Sequence, residues 1–146
     1  RNERIEEPLR ALIQKENIEN KVIFLGERGD ISRLLHSSSI LLFPSLWEGL
    51  PGVVLESCAA GTPILASDLP GVKEISTHFN LITMLNPEES AQKWAEIARN
   101  IVAQGNKVDK TKALEDFRNS IFNIKTNIKM LEDIWGALQI KVAKSE

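Results

Sequence analysis

The sequence predicts an α/β fold, a Rossmann-like parallel sheet with helices on both faces, followed by C-terminal helices. Three observations predict it. Short runs that are apolar throughout, KVIFLG, SILLFPS and PILAS, recur between residues 21 and 67. Strands buried on both faces read this way, whereas a half-exposed strand alternates polar and apolar residues. Helix-like segments separate the runs, and the connections are short, as strand–helix–strand units require.

The elements follow in order. Residues 3–16, ERIEEPLRALIQKE, put Ile5, Leu9, Leu12 and Ile13 on one face of an amphipathic helix that Pro8 interrupts early. KVIFLG (21–26) is β-branched and ends in Gly, so it reads as a buried strand. Asp30 can cap the helix ISRLLHS, with Ile31, Leu34 and Leu35 inward. SILLFPS (39–45) is a second strand, stopped by Pro44. Pro51 suits the first turn of the next helix, because it has no N–H to leave unpaired there. That helix runs to Ala60 and stops at Gly61. Pro63 leads into the strand PILAS, and LITML (81–85) is a weaker fourth strand before a helix from Glu88 to Ala103. QGNKVDK (104–110) is a polar break. It divides a single domain, 1–146, into an α/β part, 1–104, and C-terminal helices, 105–146. Those helices are expected at Lys110–Ser120 and Asn123–Val142, the second with Ile124, Ile128, Leu131, Ile134, Trp135 and Leu138 along one stripe.

Composition excludes several classes of function. A chain of 146 residues suffices for one domain that buries roughly two-thirds of its unfolded surface. With 18 basic and 20 acidic side chains the net charge is −2, so nothing electrostatic favours a nucleic acid. A single Cys58 offers neither an internal disulfide nor a cysteine metal site, and is compatible with a reducing compartment. No apolar run reaches membrane-spanning length, and no signal peptide is visible. The chain opens on Arg1 inside a helical segment, which suggests a piece of a longer protein.

The segment EGLPGVVLE carries two glutamates, Glu48 at the head of an apolar helix and Glu56 within it. The composition around Glu56 predicts a buried position, and a buried carboxylate requires a partner. In a parallel sheet, ligands bind beyond the carboxyl ends of the strands, here at Gly26–Asp30, Pro44–Gly52 and Ser67–Gly71. The middle segment feeds a helix start, whose unpaired N–H groups and dipole attract anions. Gly49 and Gly52 let the backbone approach closely. Two carboxylates beside an anion site are consistent when the ligand also carries diols, each able to donate two hydrogen bonds. A nucleoside diphosphate sugar has that chemistry. Elsewhere, Trp47 is expected to pack beside a strand end, Cys58, Trp94 and Trp135 in the core, and His36 and His78 at the surface.

The string PSLWEGLPGVVLESCAAGTPILASDLPGVKEI resembles the C-terminal, nucleotide-sugar-binding domain of retaining glycosyltransferases of the GT-B type. The signature is two glutamates with seven residues between, Glu48 and Glu56, preceded by PS and followed by Ala59, Gly61 and Pro63. The resemblance implies that Glu56 holds the ribose hydroxyls and Glu48 the transferred sugar. Gly49 and Leu50 would line the sugar, Gly52 and Val53 would present backbone to the diphosphate, and the loop at Arg28 would lie against the nucleobase. It implies transfer of a hexosyl unit to a hydroxyl acceptor in polysaccharide or glycolipid assembly, with no metal and no cofactor beyond the donor. Residues 1–20 lack the two additional strands and the Arg/Lys pair usual in such domains, and the N-terminal acceptor domain is expected to be missing from this piece. The chain is therefore expected to be N-terminally truncated, to carry no certain catalytic residue, to be inactive alone and to self-associate. The full-length protein is expected in the cytoplasm, or peripheral to the inner face of the membrane. Two rivals share the fold, a non-catalytic nucleotide-sugar binder and a sugar-nucleotide epimerase; the intact motif favours the transferase over the epimerase.

Overall fold

A computed structural model describes residues 3–105 and 108–143, with side chains described from Glu6 to Gly136 within those ranges. The chain forms two compact units, Arg1–Asp30 and Ile31–Glu146.

The first unit contains α1 (Glu3–Lys15) and a 3₁₀ turn (Glu19–Lys21). Among the described side chains of the apolar stripe predicted for α1, Ile13 is buried while Leu9 and Leu12 are exposed. Asn17 ends the helix at φ 53°, and Ile18 N–H closes the turn on Ile13 C=O at 3.1 Å. This left-handed exit suits Asn better than most residues. Arg10 reaches Glu6 through Nε (3.0 Å) and lies 4.1 Å from the centre of the Phe24 ring. The strand expected over 21–26 is not formed. Lys21 belongs to the 3₁₀ turn, Gly26 takes φ 63°, and residues 22–25 between them form no ladder, with Ile23 81% exposed. An apolar run becomes a strand only when neighbours take its N–H and C=O groups, which composition cannot guarantee.

The second unit holds α2 (Ile31–Ser37), β1 (Leu41–Phe43), α3 (Gly52–Ala60), β2 (Ile64–Ser67), α4 (Pro70–Ser76) and β3 (Ile82–Leu85). It continues with α5 (Ala91–Ala103), α6 (Lys110–Asn119) and α7 (Ile124–Ala143). The sheet is parallel with order β1-β2-β3, Leu41 opposite Ile64 and Ala66 opposite Met84. With helices around it, this is the Rossmann-like α/β fold read from the sequence.

The core forms on one face of the central strand. Ile64 and Ala66 pack with Val54 and Cys58 of α3, Val72 and Ile75 of α4, and Phe79. Phe79 stacks on Phe117 at 5.8 Å and meets Phe122 at 6.0 Å, joining the segment after α6 to the same core. Thr62 and Lys110 connect the helices by polar contacts. Thr62 Oγ1 donates to Leu35 C=O at 2.6 Å, and Lys110 Nζ donates to His36 C=O.

Two elements depart from expectation. The segment after β2 continues as α4 rather than a loop, because Pro70 sits in the first turn and Val72 and Ile75 give it a buried face. The next long helix starts at Ala91, capped by Ser90 Oγ, which accepts from Lys93 N–H at 3.2 Å. Ahead of it, Asn86 Oδ1 accepts from Glu88 N–H at 2.9 Å and holds residues 86–88 in a turn.

Candidate functional site

The site is built where β1 gives way to α3. Pro51 precedes the helix with φ −73° and ψ 113°, and its carbonyl accepts from Val54 N–H (3.2 Å) and Leu55 N–H (3.4 Å). The N–H groups of Gly52 and Val53 therefore lie ahead of the first intrahelical acceptor, at the positive end of the helix. Gly52 is exposed and Val53 half-buried. In the loop before them Glu48 is exposed, and Ser45 Oγ donates to its Oε1 at 3.0 Å.

Glu56 lies four residues beyond Gly52, and both are exposed on one strip of α3 while Val54, Ser57 and Cys58 are buried. The prediction that Glu56 is buried is thus corrected. An apolar helix packed on several sides still keeps an outward strip, and i, i+4 spacing places Gly52 and Glu56 on it. Glu56 lines a groove of about 550 Å³ with Ser32, Arg33, His36, Ala59 and Leu114. The groove offers a carboxylate, a guanidinium and an imidazole between α2, α3 and α6.

The loop also rests on the start of α4. A methyl group on Gly71 would lie 1.6 Å from the Gly49 carbonyl oxygen and 3.3 Å from Leu50 Cα. Gly71 follows Pro70 in sequence, and a Pro-Gly pair usually marks a turn. Nothing in that dipeptide signals the approach of a second backbone.

Glu48, Gly49, Leu50, Gly52, Val53 and Glu56 are thus brought together by one continuous loop and helix. Arg28 belongs to the N-terminal unit. Its Nε and Nη2 each donate to the Asp30 carboxylate at 2.7 Å. These hydrogen bonds, with the opposite charge, hold Asp30 below the usual carboxylate range and raise Arg28. Trp47 is 91% exposed and not packed against the strand end; Trp135 is 65% exposed, and Trp94 is half-buried. Cys58 is buried, which pushes its thiol up to about 12. Among the described residues, no group of three or more His, Cys, Asp or Glu side chains could hold a metal, and no helix is long and apolar enough to cross a membrane.

Comparison with known proteins matches this architecture. The family described as "Glycosyl transferases group 1" matches residues 2–116. EpsF of Bacillus subtilis (strain 168), named as a glycosyltransferase, is 34% identical over 92 residues, 63% of this chain and 24% of that protein. The UDP-Gal:alpha-D-GlcNAc-diphosphoundecaprenol alpha-1,3-galactosyltransferase of Escherichia coli is 26% identical over 117 residues, 67% of this chain and 30% of that protein. The chain thus spans between 24% and 30% of the length of these two relatives. The crystal structure of Anabaena Alr3699/HepE in complex with UDP superimposes with a TM-score of 0.71 at 21% identity, covering 89% of this chain and 36% of that one. Since the family match takes in all three strands and the whole of α3, this chain belongs to the group 1 glycosyltransferases.

Proposed function

We propose that the chain is the donor-binding part of a retaining GT-B glycosyltransferase, moving a hexosyl unit from a nucleoside diphosphate sugar to a hydroxyl in polysaccharide or glycolipid assembly. The observation that carries this reading is the start of α3, where the Gly52 and Val53 N–H groups lie ahead of the first intrahelical acceptor and two exposed carboxylates, Glu48 and Glu56, flank them in sequence. The N–H groups and the helix dipole would stabilise the negative charge that grows on the diphosphate as it leaves. Each carboxylate would accept hydrogen bonds from a diol, Glu56 from the ribose and Glu48 from the sugar. Gly49 and Leu50 would line the sugar, and the backbone at Arg28 would meet the base. Two relatives support the donor class: one structure holds UDP, and the galactosyltransferase's name specifies UDP-Gal. No metal or cofactor takes part in this reading. The full-length protein would work in the cytoplasm or peripheral to the inner face of the membrane.

Calorimetric titration with UDP and GDP tests the assignment. A hydrogen bond to a charged group contributes roughly 1.5–3 kcal/mol, so Glu56→Gln should weaken nucleotide binding about tenfold or more. Because Glu56 is exposed, the melting temperature should hold. A Gln variant that melts earlier and binds normally would return Glu56 to a structural role.

A further inference from the structure

We propose that Gly71 is a positioning residue for the donor site: its bare backbone is the seat on which Glu48, Gly49 and Leu50 rest. The inference builds on the donor-site reading. A Cβ at this position would stand 1.6 Å from the Gly49 carbonyl oxygen and 2.7 Å from its carbonyl carbon. Both are backbone atoms, so no rotamer change relieves the clash. One of the two segments must move.

Packing decides which. α4 is held by Val72 and Ile75, both fully buried in the core, and by Lys73 N–H on Leu69 C=O at 2.9 Å. The loop is held at its end, by buried Pro51, and by the hydrogen bond from Ser45 Oγ to Glu48 within it. Leu46, Trp47, Glu48, Gly49 and Leu50 are all exposed. A side chain at residue 71 therefore displaces the loop and leaves the helix in place. The loop carries the sugar-facing carboxylate and leads into the N–H groups of Gly52 and Val53, so its displacement reaches the ligand directly. Misplacing such a group by about 1 Å can cost on the order of a hundredfold. Gly71 touches no ligand in this scheme; it fixes where the contacting groups stand.

The experiment compares Gly71→Ala with Gly136→Ala in α7, where an added methyl group meets open space. Amide NMR of the ligand-free proteins comes first. In Gly71→Ala the signals of Glu48, Gly49, Leu50, Gly52 and Val53 should shift while those of Leu65 and Ile82–Leu85 stay, and Gly136→Ala should alter neither set. Titration with UDP, UDP-glucose and UDP-galactose follows, scored per folded molecule. Gly71→Ala should lose at least tenfold in affinity for a UDP-hexose that the unsubstituted chain binds, and less for UDP. Unshifted loop signals, or shifted signals with full hexose-nucleotide affinity, would overturn the proposal. If Gly71→Ala does not fold, the unsubstituted chain still decides: UDP-hexose should move the Gly71 amide together with Gly49 and Leu50, and a stationary Gly71 overturns the seat. If the unsubstituted chain binds no nucleotide, the donor reading fails, while the ligand-free loop shift still tests the seating separately.

Discussion

Ser67 ends β2 with a hydroxyl that is fully buried and, among the described residues, has no hydrogen-bond partner. Thr62 is equally buried, but its hydroxyl donates to Leu35 C=O. The two residues should respond to substitution with opposite sign. Thr62→Val removes a satisfied buried hydrogen bond and should cost about 1–2 kcal/mol. Ser67→Ala removes an unsatisfied group and should be neutral or stabilising in denaturant melts; a loss above about 1 kcal/mol would reveal a partner for the hydroxyl. Cys58 gives a third test. With its thiol pushed up to about 12 by burial, it should resist thiol reagents at pH 8 until the protein unfolds. Asp30 sets a pH dependence. Its carboxyl is held below its unfolded value, so the contribution of the Arg28 pair is present above the unfolded pKa and fades as pH falls through the folded one. Stability measured from neutral pH into acid should therefore lose a component on Arg28→Gln, small because the pair is exposed.

At the scale of elements, the end of α3 is the most sensitive point. Gly61 takes φ 67°, and Thr62 N–H bonds back to Ser57 C=O at 3.0 Å to close the helix. Gly61→Ala should cost about 1–2 kcal/mol from the left-handed backbone alone. The new methyl group would also stand 3.1 Å from Lys110 Cα. The exit of α1 offers the reverse experiment. Asn17 occupies the same region at φ 53°, so Asn17→Gly should be neutral or gain up to about 1 kcal/mol. Thermal melts of both variants give the signs. These turns also bear on function, because α3 carries the candidate site at its first turn and depends on Gly61 at its last.

At the scale of the whole molecule, exposed apolar surface is the main liability. In the larger unit β1 and β3 are the sheet edges, and α7 exposes Ile124 and Trp135 along its stripe. Unpaired strand edges and contiguous apolar faces favour association. Sedimentation velocity should therefore show mass rising with concentration, and Ile124→Lys with Trp135→Lys should reduce it if α7 is the route; an unchanged monomer at all concentrations would contradict the expectation. The chain matches 24% and 30% of the length of the two relatives compared above, so the 146-residue protein by itself should transfer no sugar. Turnover of UDP-galactose above that of a Glu48→Ala control would show otherwise.

The sequence by itself determined the parallel α/β pattern, because unbroken apolar runs separated by helical segments mark the strands of such a sheet; burial on both faces, which that pattern also predicts, holds throughout only for β2, while Leu42 in β1 is 51% exposed. It also determined the limits of α3, because Pro51 and Gly61 restrict local backbone geometry whatever lies around them. That Glu48, Gly52 and Glu56 share one loop and the helix it feeds was legible for the same reason. Only the tertiary structure decided what depended on distant neighbours. KVIFLG has the composition of a strand but no ladder, and Glu56 sits in an apolar helix yet faces outward. The seating of Gly49 on Gly71 joins residues that no local pattern relates. Pairing, exposure and close approach each depend on which segments meet, and that is settled by packing between elements rather than within them.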